Sequence, residues 1–127
     1  MEIEITRHSS FLKEWQKFCK KFIEGNKAII DLEQLLKKHF NSNFGPVIGP
    51  KSLYLTNNTG DIEMWKVHCA VKGLRKNQRP RIYFFKHSEN KISFLCFGTH
   101  LDNYNDQKLR DEAISRAKEI LDIYKVS

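Results

Sequence analysis

The hydrophobic period of this chain changes twice, and those changes dictate which elements it can build. Between residues 11 and 23 the apolar side chains recur every three to four positions, as Phe11, Trp15, Phe18 and Phe22 with Leu12, Cys19 and Ile23 beside them. That spacing puts them on one helical face and leaves Lys13, Glu14, Lys17, Lys20 and Lys21 elsewhere. In the middle of the chain the period falls to two, the signature of strands. It then returns to the helical value in Leu109, Ala113, Ile114, Ala117, Ile120, Leu121 and Tyr124.

Punctuation between these stretches sets the boundaries. Residues 2–6 alternate and predict a short strand, after which Ser9 and Ser10 are suited to cap the first helix. Gly25-Asn26 is expected to end it, and a second helix over roughly 27–40 turns Ala28, Leu32, Leu35, Leu36 and Phe40 inward. So short a connection makes the pair an antiparallel hairpin. Asn41–Pro50 is a loop by composition. Strands are expected at 52–56, 62–71, 81–86 and 92–97, with turns at Asn57–Gly60 and Ser88–Asn90 and a basic loop over 73–79. The order is β-α-α-β-β-β-β-α. It predicts one α+β domain over residues 1–127, with an N-terminal strand and helical hairpin, a twisted, mostly antiparallel sheet of four to five strands, and a C-terminal helix. The helices are expected on one face of that sheet.

Composition narrows the class. At 127 residues, with 40% hydrophobic side chains, the chain is neither disordered nor in need of a metal or disulfide staple. No apolar run approaches the ~20 residues of a membrane helix, so no membrane partner is expected. The N-terminus lacks an apolar leader core, which predicts no export. The 3 cysteines, scattered and without a C-x-x-C, suit buried free thiols in a reducing cytoplasm.

Charge is more specific. Residues 66–91 hold eight Lys and Arg against Glu89 alone, whereas the rest of the chain balances, so this segment carries the whole net charge of +7. A localised basic zone favours polyanions such as RNA, DNA or an acidic chain, the alternative being a solvated surface kept for solubility. Alternation places Trp65, Val67, Cys69 and Val71 on one side of the long strand and Met64, Lys66, His68 and Ala70 on the other. In the next strand Ile82 and Phe84 suit the core, leaving Arg81 and Tyr83 to face as Lys66 and His68 do. Cations with an imidazole on a more open face match phosphate chemistry, although a polar outer face is ordinary in antiparallel sheets. The five His are isolated from zinc-like spacings, no phosphate-binding glycine loop or serine elbow is present, and Cys96 reads as a core residue.

Arg81-Ile82-Tyr83-Phe84-Phe85, then Ile92 through His100, and Tyr104 resemble bacterial toxins of the RelE/ParE superfamily, most of all the RelE, YafQ and HigB mRNA interferases. Gly98-Thr99-His100-Leu101-Asp102-Asn103-Tyr104 is similar to the G-T/S-H-x-x-L-F/Y signature of the YafQ-like branch. The motifs span residues 62–104, while the topology extends over nearly the whole chain. The resemblance implies a metal- and cofactor-free endoribonuclease that cuts mRNA on the ribosome and is held inactive by a cognate antitoxin protein in the cytoplasm. By position, Arg81 would bind the scissile phosphate, His100 would be general acid or base, and Tyr104 would stack on a base or shuttle a proton. Lys66 and His68 loosely match the family's basic pair, and Lys72, Arg75, Lys76 and Arg79 would hold RNA backbone. A ParE-like gyrase poison and a non-catalytic RNA- or protein-binding module of the same fold are the alternatives.

Overall fold

The period-two stretches pair into one sheet, and the helical stripes close over it from both sides. The computed structural model describes residues 2–41, 43–59 and 62–126, and of residues 57–59 and 123–126 the backbone alone. In chain order come β1 (Glu4–Arg7), α1 (Ser9–Lys21), α2 (Gly25–His39), β2 (Leu53–Thr59), β3 (Ile62–His68), β4 (Arg81–Ser88), β5 (Lys91–Gly98) and α3 (Asp106–Val126), with 3-10 turns at Lys76–Gln78 and His100–Asp102. The strands lie in the order β1-β5-β4-β3-β2. β1 is parallel to β5, and the other neighbours are antiparallel. The α+β class and the element order are those the periodicities predict.

The placement of the helices on one face is corrected. α1 and α2 bury Phe11, Trp15, Leu32 and Leu36 against Val67, Cys69, Ile82, Phe84, Ile92 and Phe94. α3 crosses the opposite face and packs Leu109, Ala113 and Ala117 on Met64, Tyr83, Phe85, Leu95 and Cys96. The reason is visible in the strands themselves. Ile82–Phe85 and Ile92–Phe97 are nearly unbroken apolar runs, and such strands need cover on both sides.

One residue makes the second layer fit. Tyr83 pairs with Cys96 but Phe84 pairs with Phe94, so Leu95 is an extra residue, a bulge. It turns Leu95 and Cys96 both toward α3 and returns Phe97 to the α1 side, where its ring lies edge-on to Trp15 at 4.8 Å and to Phe18 at 5.6 Å. At the bulge the Leu95 carbonyl accepts from Arg116 Nη1 of α3 at 2.7 Å. The same guanidinium donates to both carboxylate oxygens of Glu14 on α1, each at 2.8 Å, and to Glu112 one turn back on α3. Arg116 therefore ties α3 to the sheet and to α1.

Several boundaries move for local reasons. His8, not a serine, caps α1, its Nδ1 accepting from Ser10 N at 3.1 Å. Gly25 opens α2 instead of closing α1, and it packs so closely on α1 that a Cβ there would meet Cys19 Sγ at 3.0 Å and the Phe18 ring at 3.2 Å. Leu35 is exposed, and Ile29 takes its place in the buried stripe. Asn57–Thr59 continue β2, and the Gly60 end of the expected turn lies outside the described residues. β3 stops at His68, although Cys69 N still donates to Pro80 O at 2.9 Å.

Arg116→Met leaves the Leu95 carbonyl buried without its donor, a defect worth ~1–3 kcal/mol. Urea unfolding should show that loss, while Glu14→Gln, at a half-exposed partner, should cost clearly less. A fully stable Arg116→Met would mean that apolar packing alone seats α3.

Candidate nucleic-acid interface

The antiparallel registers collect the end of β3, the start of β4 and the end of β5 at one end of the sheet. His68 faces Arg81, which faces Gly98, in one cross-strand row. Two rows further in, on the same face, lie Tyr54, Lys66, Tyr83 and Cys96. Beyond Gly98 the chain turns through His100–Asp102 and the left-handed Asn103 (φ 49°) before α3 begins. That turn lays Tyr104 on Gly98 so closely that a Cβ at 98 would lie 2.5 Å from the Tyr104 ring, and only glycine fits. The His100 ring sits 5.4 Å from that of Tyr104. Lys66, His68, Arg81, His100 and Tyr104, named from sequence, thus gather at one end of the sheet.

This face is not the open surface expected of it. Lys66 is buried, and its Nζ donates to Asp106 Oδ1 at 2.8 Å. Tyr83 OH donates to the same oxygen at 2.9 Å, and Arg110 Nη2 approaches Asp106 Oδ2 at 3.5 Å. The Lys66 ammonium also lies 5.4 Å from the Tyr83 ring centroid and 5.8 Å from that of Tyr104. Burial alone would raise the Asp106 carboxyl, but hydrogen bonds from Lys66 and Tyr83 and the charges of Lys66 and Arg110 outweigh it and hold the carboxyl below its ordinary value. Burial alone would lower Lys66, and the bond to Asp106 with the surrounding tyrosines turns that into a rise. Both groups are charged near neutral pH.

Arg81 has a structural task as well. Its Nη1 donates to the carbonyls of Arg79 at 2.8 Å and Asn77 at 3.0 Å, pinning the 3-10 turn of the basic loop to the sheet end. His68 stands beside it, edge-on to the half-exposed Tyr54 ring at 6.3 Å. Burial, then the charges of Arg81, Lys66, Arg79 and Lys76, push the His68 imidazole down to about 4, so it is neutral at pH 7. His68 Nδ1, Arg79 Nε and Arg110 Nε are buried with no hydrogen-bond partner among the described residues. Arg75 and Lys76 are exposed on the loop. Lys72 is set apart from this group, in a shallow cleft with Glu24, Lys27 and Asp31 of the α2 side.

Sequence reasoning put Tyr83 on this face without a role, and it missed Asp106 and Arg110. Asn105-Asp106 does signal a helix start, and Asn105 Oδ1 accepts from Lys108 N at 3.0 Å. Nothing in the spacing says that the helix begins beside Lys66. Among the described residues no three His, Cys, Asp or Glu side chains gather as a metal site. The three cysteines are free and buried, with burial pushing Cys69 up to about 12 and Cys96 higher still, so neither is a nucleophile at neutral pH. No protein-family model, no curated protein and no solved structure matches the chain.

The depressed His68 has a stability consequence. The unfolded chain takes up this proton near 6.5 and the folded chain only near 4, so His68's contribution is full above about 6.5 and is lost as pH falls between those values. Burial lowers His39 and His87 in the same direction. Chemical denaturation at pH 7 and pH 5 should show a smaller difference for His68→Asn than for the parent, with some slope remaining. An unchanged difference would mean that neither burial nor the surrounding cations depress His68.

Proposed function

We propose that the chain is a metal- and cofactor-independent endoribonuclease of the RelE/ParE toxin kind, acting on mRNA at the ribosome and restrained by a cognate antitoxin. The observation that carries the reading is the convergence of Lys66, His68 and Arg81, from the segment that holds the whole positive excess of the chain, with His100 and Tyr104 at one sheet end. Cleavage needs a 2′-hydroxyl to attack the adjacent phosphorus while the P–O5′ bond breaks. A base takes the 2′ proton, an acid protonates O5′, and cations steady the phosphorane. His100, exposed at the head of its turn, is the proton-transfer residue, and Tyr104 beside it stacks on a base or relays a proton. Arg81, anchored through Nη1, is a preorganised cation. Arg75, Lys76 and Arg79 grip backbone phosphates, with no sequence readout. His68, neutral at rest, gains basicity when a phosphate offsets the cations around it.

A second reading, a non-catalytic RNA- or protein-binding module, is favoured by one observation. Lys66 is already neutralised by Asp106 and Arg81 already holds a loop, so two of the cations have structural partners. The experiment separates the two. His100→Ala should bind ribosomes near the parent level yet cleave at least ~100-fold more slowly. Parent products should end in a 2′,3′-cyclic phosphate or 3′-phosphate, unaffected by EDTA, and induction of the parent alone should stop translation before replication. Binding without cleavage in the parent would establish the module, and an early DNA-damage response would point to a gyrase poison.

A further inference from the structure

The donors gathered around Asp106 exceed what one carboxylate takes up. Lys66 brings three N–H groups, Tyr83 one O–H and Arg110 five N–H groups. Lys66 and Tyr83 donate to Asp106 Oδ1 at 2.8 and 2.9 Å, Arg110 Nη2 reaches Asp106 Oδ2 at 3.5 Å and its guanidinium also bonds the Tyr83 hydroxyl, while Arg110 Nε is buried without a partner among the described residues. A carboxylate offers two oxygens in one plane, whereas a phosphate group sets four oxygens tetrahedrally and reaches donors out of that plane. Arg79 and Arg81 lie along the same sheet end and add positive charge, and the Asp106 side chain is itself 43% exposed, so its seat opens to solvent.

We propose that the Asp106 carboxylate occupies the seat of a phosphate, and that a phosphodiester of single-stranded RNA displaces it onto Lys66, Tyr83 and Arg110. This site rests on the nucleic-acid reading above and goes beyond it. It moves a phosphate-binding position from Arg81, which also serves as the loop clamp, to the buried Lys66, and it makes Asp106 an internal competitor of the ligand. Asp106 stays on the chain and swings toward solvent, so no bond is made or broken.

The test compares the parent with Asp106→Asn, which keeps an acceptor for Lys66 and Tyr83 but removes the competing charge. The probes are a single-stranded RNA of about ten nucleotides and, separately, inorganic phosphate. Asp106→Asn should bind the RNA about 5- to 30-fold more tightly at moderate salt. The slope of log affinity against log salt should steepen by about 0.7, the value for one more phosphate on a single strand. Lys66→Gln should cost Asp106→Asn more affinity than it costs the parent, since in the parent Lys66 is already paired. Inorganic phosphate should raise the melting temperature of Asp106→Asn more than that of the parent. Equal affinity and slope in the two proteins, or an equal cost of Lys66→Gln in both, would overturn the seat while leaving RNA binding intact. Phosphate stabilisation of Asp106→Asn with no RNA binding by either protein would keep the seat and sink the nucleic-acid reading. If Asp106→Asn does not fold, Asp106→Ser removes the same charge and carries the same expectations.

Discussion

The bond from Arg116 to the Leu95 carbonyl is the contact on which the arrangement at the sheet end depends. Without the extra residue at Leu95, strand parity would send Phe97 toward α3 and Gly98 toward α1. With it, Phe97 joins Phe11, Trp15 and Phe18, and Gly98 lies on the far side, where Tyr104 covers it. The bulge thus sets the face on which the chain turns back through His100 and Tyr104. Arg116 joins that irregular backbone to α3 and, through Glu14, to α1, so three elements meet at one guanidinium. Arginine suits the position because its planar fork serves a carbonyl and carboxylates at once, which a lysine cannot do in the same geometry.

Covering the second face creates an electrostatic problem at Lys66. An ammonium that is taken out of water needs a counter-charge, and α3 delivers one in its first turn as Asp106, with Tyr83 completing the group. Stability gives little reason to keep such a set. Apolar residues of similar volume often serve a buried position equally well or better, and the neighbours Met64, Phe85 and Leu95 show what this core otherwise contains. The retained charge is better understood as an ion pair held ready beside the solvent-facing end of the helix, where its carboxylate half remains within reach of water.

Much of the sheet is legible in the sequence. Period-two alternation assigned Trp65 and Val67 to one side and Met64, Lys66 and His68 to the other, and the paired positions of β4 followed by register. The proximity of the Gly98–Tyr104 motif to Arg81 was also readable, because hairpin connections are short and fix neighbours. What escaped were the long-range choices. Hydrophobic stripes say that a helix has a buried face, not which side of a sheet receives it, so α3 was placed with α1 and α2. The pairing of Lys66 with Asp106 depends on that choice and was invisible for the same reason. The role of Gly25 was missed because a glycine kept for close approach to Cys19 and Phe18 reads, in sequence, like one kept for a helix end.

The basic loop shows how far charge can be concentrated before a fold resists it. Burial, reinforced by the charges of Arg81, Lys66, Arg79 and Lys76, keeps the His68 imidazole neutral well below the pH at which an exposed one would charge, so the positive potential there is felt by the protein's own groups. Arg81 answers by bonding to loop carbonyls, which stiffens the turn and leaves the mutual repulsion of the cations in place. A surface built only for solubility has no reason to hold like charges together with rigid backbone contacts, since dispersal along the chain would give the same net charge at less cost. Clamped cations beside buried donors without partners among the described residues support the proposed nucleic-acid ligand over a single small anion, because a polynucleotide backbone carries several negative charges at fixed spacing.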